Sequence, residues 1–262
     1  MPYLMESPRE ADRLILKSDA DTSRQQLELT GLKAGMVAVD AGGGAGFVSK
    51  IMSEIVGKDG RVILVDQSED RLKHAEEYVS AKNMIYRQSP LEKIRLEDES
   101  VDYIFCRFVF EYLNDPNVVL KEFLRVAKPG AKIVVGDLDY NCLNHYPLKP
   151  STEAQLHQVI SELQRLKYFD PYIGRKLYTM FYRSQLNDIK VHILPHHLIY
   201  GESNTRDFEN WKQKIEMIEQ LAEENVIKLD FDIREFKNEF LKFFKDPERF
   251  SYTPLILVEA VK

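Results

Sequence analysis

Residues 37–46 read VAVDAGGGAG, and this stretch decides the fold. The apolar run at 36–39 has the pattern of a buried strand. It passes through Asp40 into a turn holding Gly42, Gly43, Gly44 and Gly46. A helical apolar pattern then runs from Phe47 to Val56 and stops at Gly57. A strand, a glycine-rich turn and a helix, in that order, let backbone atoms approach a ligand closely, because glycine carries no side chain to block them. Two well-known devices of this kind need other spacings. The dinucleotide turn wants glycines at relative positions one, three and six, and counting from Gly42 the sixth position is Phe47. The phosphate loop ends in Gly-Lys-Ser/Thr, which is missing after these glycines. What stands is Asp40-x-Gly42-x-Gly44-x-Gly46.

Outward from this turn the cycle repeats. Residues 61–65 (RVILV) form a second strand closed by Asp66, and Ser68 caps a helix carrying Leu72, Ala75 and Val79. Strands follow at 84–86, 101–105 (VDYIF) and 132–135 (KIVV), with a helix opened by Asp115-Pro116 and ended by Lys128-Pro129-Gly130. Strands alternating with helices predict a parallel sheet covered on both faces, with ligands at the carboxyl ends of the strands. Before the turn, Ser7-Pro8-Arg9-Glu10 starts one helix, and Thr22 with Gln25 starts another that stops at Gly31. After the fifth strand the spacing predicts helices from Ser151 to Phe169, over 174–186, 205–225 and 232–245, and a closing strand at 254–261. The strand expected at 189–200 contains Pro195, which marks an edge or a bulge.

The pattern Asp40-x-Gly42-x-Gly44-x-Gly46 resembles motif I of the class I S-adenosylmethionine-dependent methyltransferases, here of the small-molecule type. Asp66-Gln67-Ser68, the block Glu97–Leu113 and the Lys128-Pro129-Gly130 turn resemble later motifs of that family in the same order. The resemblance covers roughly residues 31–140. It implies a Rossmann-like α/β fold, with a seven-stranded, mostly parallel sheet, helices on both faces and a helical cap. It implies a single domain over 1–262: a cofactor core at 31–140, cap and acceptor elements at 1–30 and 141–250, and a closing strand at 251–262. The cofactor implied is S-adenosyl-L-methionine. Gly42, Gly44 and Gly46 would pass under its methionyl and ribose parts, and Asp40 would orient the turn near its amino group. Asp66 would hold the ribose, Gln67 would flank the adenine, and Arg107 and Phe108 would lie on the methionyl side. Plain turn-stabilising and capping roles are the alternatives for Asp40 and Asp66. Where many relatives carry an acid for the adenine amino group, this chain has Ser89, so that bond falls to the Ser89 hydroxyl or to the backbone at Leu91.

In-line methyl transfer needs alignment of the acceptor and, for some acceptors, a base. Asp137, Asp139, Tyr140 and His145 are the candidate bases, with Glu111 and Tyr112 further ones, and loop-capping or helix-surface roles are the alternatives. Tyr112, Asp139, Tyr140, Tyr172 and Tyr178 are expected to line the acceptor pocket. Fourteen Phe, thirteen Tyr and one Trp are unevenly spread, and eighteen of them follow residue 132. Aromatic walls suit a flat, apolar or cationic acceptor. Core packing is the alternative for each Phe, and core packing or a homodimer contact for the stripe Phe231, Phe236, Phe240, Phe243, Phe244.

The net charge of −6, from 36 basic and 42 acidic residues, opposes a nucleic-acid partner. The Asn/Asp-Pro-Pro-aromatic tetrad of DNA amino-methyltransferases is replaced by Cys106-Arg107-Phe108-Val109. Two cysteines rule out a thiolate zinc cluster and the multi-thiol chemistry of arsenite enzymes. Asp137 and Asp139 supply only half of a magnesium site. His192 and His196 straddle Pro195 in a strand, and no metal is expected there. With no apolar run near ~18 residues and no leader-like start, a cytoplasmic protein with no membrane partner and a small-molecule acceptor is expected. The alternatives are an aminopropyltransferase-like enzyme of the same fold, or a non-catalytic scaffold subunit that keeps the cofactor site.

Overall fold

The computed structural model describes residues 19–167, 169–202 and 204–262. The helix start at Ser7 and the aromatic Tyr168 lie outside the described residues. The strands are β1 (Val37–Ala41), β2 (Arg61–Asp66), β3 (Met84–Gln88), β4 (Val101–Arg107), β5 (Ala127–Leu138), β6 (His145–Tyr146), β7 (Asn187–Tyr200) and β8 (Phe250–Val261). The helices are α1 (Ala20–Leu29), α2 (Phe47–Val56), α3 (Glu69–Tyr78), α4 (Pro116–Val126), α5 (Pro150–Arg165), α6 (Ile173–Arg183), α7 (Thr205–Glu223) and α8 (Ile233–Lys245).

β1 to β5 pair in parallel in the order β3-β2-β1-β4-β5. β8 runs antiparallel between β5 and β7. The sheet has eight strands rather than seven, because β6 is a two-residue addition. β5 stops at Leu138, opposite Leu255, so the Phe250–Ser251 end of β8 has a free edge, and His145–Tyr146 fills it.

Alternation along each strand builds two layers of core. Val39, Ile63, Ile104 and Ile133 face one layer, completed by α4 and α6. Ala38, Val62, Tyr103 and Val134 face the other, completed by α2. The helix starts follow local chemistry. Ser68 Oγ accepts from Arg71 N at 3.3 Å, and Asp115 Oδ1 from Asn117 N at 3.0 Å, ahead of Pro116. The start of α1 differs from the expectation. Asp19 is the cap, accepting from Thr22 N at 2.7 Å, so Thr22 sits in the first turn. Lys128-Pro129-Gly130 does not follow the helix as a separate turn but belongs to β5.

α5, α7 and α8 bury a third cluster that contains Leu156, Val159, Trp211, Ile215, Phe236, Phe240 and Phe244. The phenylalanine stripe therefore packs within the chain, as a period-3.6 apolar face should. Phe240 is fully buried and stacks with Phe236 at 5.4 Å between ring centroids. Phe240→Ala is expected to cost about 3–5 kcal/mol of unfolding free energy in urea titration, the range for deleting a buried ring. A change well below 1 kcal/mol would show that this layer does not support the fold.

Candidate cofactor and acceptor site

A cavity of about 480 Å³ opens where β1, β2, β4 and β5 end. Its first half is made by the glycine turn. Gly42, Gly43, Gly44 and Ala45 line it, with Asp40, Asp66 and Gln67 beside them. Gly42 has φ +74°, and a Cβ there would lie 2.6 Å from Val109 Cγ2. Only glycine lets the turn pass under the loop after β4. Gly46 has a different use from the one expected. It does not line the cavity. Its φ is +85°, and a Cβ would meet Val79 and Ala75 at 2.9 and 3.0 Å, so it lets α2 lie against α3 and against Val79, which follows α3.

The Asp66 carboxylate holds the turn in place. Oδ2 accepts from Gly44 N at 3.1 Å, and Oδ1 accepts from Ser68 N at 2.9 Å. Arg71 Nη2 reaches Oδ1 at 3.1 Å, in a buried ion pair that composition and spacing did not reveal. Asp40 Oδ2 accepts from Ser49 Oγ at 2.6 Å. Burial pushes the Asp40 carboxyl up to about 6, against the opposing effects of the Ser49 bond and Arg107. Burial also pulls Arg107 down to about 10, opposed by Asp40. Arg107 is fixed by Gln26 Oε1 at 2.6 Å and Ser23 Oγ at 3.2 Å, both from α1. Phe108 follows it with φ +61°, a left-handed non-glycine residue at the cavity wall.

Leu91 lines the cavity but Ser89 does not. Ser89 lies behind it, with a buried hydroxyl that has no hydrogen-bond partner among the described residues. A turn that would be filled by a Cβ, an acid at the end of β2 and an arginine at the end of β4 together fit an adenosyl amino-acid cofactor.

The second half differs from the expected acceptor pocket. Tyr112 lines it, but Asp139, Tyr140, Tyr172 and Tyr178 do not. Asp139 takes Arg175 Nε at 2.8 Å and Nη2 at 2.9 Å. The same guanidinium lies over the Tyr140 and Tyr172 rings at 5.3 and 5.0 Å, so this cluster closes the outside of the loop after β5. Tyr178 is exposed and stacks on Tyr182. The wall is instead made by Glu111, Asn141, Lys214 and the segment Pro195 to Ile199, among others. That segment reaches the cavity through a bulge. Pairing between β7 and β8 slips between His196 and Ile199, where His197 has φ +47°. A bulge re-aims side chains, so the proline pointed to the right place, although Pro195 itself stays paired with Pro254.

Neither Asp137 nor His145 lines the cavity. Asp137 is fully buried, and its carboxylate accepts from Leu138 N at 2.8 Å and Glu111 N at 3.1 Å. Burial and the Glu111 charge push its pKa well up. It holds the short Phe110–Tyr112 turn and so places Glu111. His145 bonds Ser251 Oγ at 2.8 Å and Cys142 O at 3.1 Å, with both ring nitrogens engaged. Its ring lies edge-on to Trp211, Phe240, Phe243 and Phe244, and burial pulls its pKa down to about 4. It is a core histidine. Glu111 faces the cavity, and its Oε2 accepts from Asn141 Nδ2 at 2.8 Å. His192 turns away to Glu259 at 3.1 Å, and among the described residues no group of three His, Cys, Asp or Glu could hold a metal ion.

Comparison with known proteins agrees with this geometry. Residues 39–135 match a family model described as a methyltransferase domain. The chain is 30% identical over 113 residues to a ubiquinone/menaquinone biosynthesis C-methyltransferase of Saccharophagus degradans, covering 42% of this chain and 45% of the relative. The chain spans about half the length of the curated relatives it matches. A solved S-adenosylmethionine-dependent methyltransferase from Aquifex aeolicus is similar at 26% identity, with a TM-score of 0.51, over 74% of this chain and 93% of that one. A Haemonchus contortus phosphoethanolamine N-methyltransferase shares the fold at 22% identity, with a TM-score of 0.56, over 92% of this chain and 52% of that one. Residues 39–135 thus match a methyltransferase domain, within a fold shared with S-adenosylmethionine-dependent methyltransferases, and the cavity fits S-adenosylmethionine as cofactor. Among the described residues no helix is long and apolar enough to cross a membrane.

Asp66→Ala is expected to weaken S-adenosylmethionine binding roughly tenfold or more, the scale of a lost charge-assisted hydrogen bond. Calorimetry measures it, and an unchanged dissociation constant removes Asp66 from the site. The depressed His145 pKa makes a second expectation. The unfolded chain binds this proton below about 6.5 and the folded chain only below about 4. Stability due to His145 is therefore present above pH 6.5 and lost as pH falls toward 4. Denaturation of wild type and His145→Gln across this range should show the wild-type advantage shrinking on acidification. A pH-independent difference would refute the assignment.

Proposed function

We propose that this domain transfers a methyl group from S-adenosylmethionine to a small-molecule acceptor held against Glu111 and Asn141. The observation that carries the reading is one continuous cavity, with the glycine turn and Asp66 at one end and a polar wall of different origin at the other. Bound there, the cofactor supplies an electrophilic methyl group on a sulfonium that leaves as a neutral thioether.

The protein's part is binding, orientation and one proton. Asp66 would hold the ribose hydroxyls, and Gln67 and Leu91 would flank the adenine. Arg107, fixed by Gln26 and Ser23, would hold the methionyl carboxylate, with Asp40 near the amino group. An aminopropyl-transfer reading uses a cofactor without that carboxylate, and an arginine then has nothing to bind. Glu111 is the carboxylate that faces the acceptor, and it would accept the proton from the attacking atom. Asp137 would act through the backbone of Glu111, as a positioning residue. In this reading residues 31–140 serve the cofactor and 141–250 the acceptor, within one domain.

The names of the curated relatives favour carbon as the accepting atom. Their alignments span 42–56% of this chain, too little to extend that choice over the whole acceptor half.

Incubation with metabolite extract and methyl-labelled cofactor should transfer label to a small molecule. Label that enters only macromolecules would refute the reading. With that acceptor, Glu111→Gln should lower turnover roughly 100-fold, within the usual range for a general base, and leave cofactor affinity unchanged. Turnover equal to wild type would remove the base role.

A further inference from the structure

Two cations line the acceptor end that cofactor binding does not use, Lys214 on α7 and Lys167 after α5. Lys214 is half-buried. Its Nζ donates to Cys142 Sγ at 3.5 Å and lies 4.5 Å from the centroid of the Trp211 ring. These contacts fix where the ammonium stands but do not neutralise it. Burial pushes the Cys142 thiol up, which keeps it uncharged. Among the described residues neither Lys214 nor Lys167 meets a carboxylate. Other lysines do. Lys128 pairs with Asp102, Lys132 with Glu259, Lys149 with Glu239 and Lys237 with Glu219.

The acids of the same wall are already engaged. Glu111 is held by Asn141, and Asp207 accepts from Asn204 Nδ2 at 2.5 Å and feels the charge of Arg249. A half-desolvated ammonium held in place without a counter-charge is costly unless an anion completes it. Tyr112, Leu138 and Ile199 supply apolar wall to the same cavity.

We infer that Lys214 anchors the acceptor by a compact oxyanion, a carboxylate or a phosphate, on an otherwise partly apolar small molecule. This rests on the methyl-transfer reading of the cavity. Lys167, at the exposed rim, steers the same group inward. As a compact point charge, lysine takes either oxyanion without the planar match that arginine demands.

Trp211 is the chain's only tryptophan and lies against Lys214, so its fluorescence reports on this subsite without any turnover. The protein saturated with S-adenosylhomocysteine is titrated with benzoate, phenyl phosphate and benzamide. At least one anion should give a saturable change, with neutral benzamide roughly tenfold weaker or worse, about 1.4 kcal/mol. The two anions separate the carboxylate and phosphate sources. Lys214→Gln should abolish the preference and Lys214→Arg should keep it, with S-adenosylhomocysteine affinity unchanged in both. Equal response to benzamide, no response to either anion, or an undiminished anion preference in Lys214→Gln would overturn the assignment. So would anion binding that S-adenosylhomocysteine competes away, because Lys214 would then serve the cofactor carboxylate. If S-adenosylhomocysteine itself fails to bind wild type, the methyl-transfer reading fails. The same titration on the unliganded protein then still decides the role of Lys214.

Discussion

One carboxylate ties the cofactor half together. Asp66 ends β2, yet its two oxygens hold the amide of Gly44 in the turn after β1, the amide of Ser68 at the start of α3, and the guanidinium of Arg71 one turn further on. Glycine at this turn is conformationally free, and the hydrogen bond that the Gly44 N–H donates to Asp66 limits that freedom at the cavity. Parallel strands force the arrangement. β1 and β2 run side by side with Asp40 opposite Leu64, so both strands deliver their carboxyl ends to the same edge.

The acceptor half depends on a different constraint. β8 is antiparallel and longer than β5 needs, and its Phe250 end runs on past Leu138. β6 and the bulged end of β7 pair with that overhang, one on each side. The overhang carries the aromatic layer of α5, α7 and α8 beside the cavity, and α7 delivers Lys214 to it. Burial there accounts for His145. An imidazole among four aromatic rings, with both nitrogens engaged, is held neutral as part of the core and does not line the cavity.

Local chemistry made much of the fold legible. α2 begins at Phe47 and ends before Gly57 as its apolar spacing and glycine stop require, and Ser68 and Asp115 cap where expected. Errors arose where two local signals competed. Asp19 and Thr22 both suit a helix start, and the earlier one won. The cofactor half of the site was legible because its residues are close in sequence and near strand ends. The acceptor half was not. Asp139 and Tyr140 follow β5 and Tyr172 precedes α6, but Arg175 gathers all three where none lines the cavity.

By itself the sequence determined the strand–turn–helix cycle, the placing of Asp40, Asp66 and Arg107 at strand ends, and hence the cofactor edge, because periodicity and spacing act over a few residues. Tertiary structure alone decided which of two acids faces the cavity. Asp137 and Glu111 are both acids near strand ends, yet one bonds backbone amides beneath the wall while the other forms the wall. It also decided that Lys214 stands against Cys142 and Trp211 with no ion pair among the described residues, since the neighbours of an ammonium are set by every element packed around it.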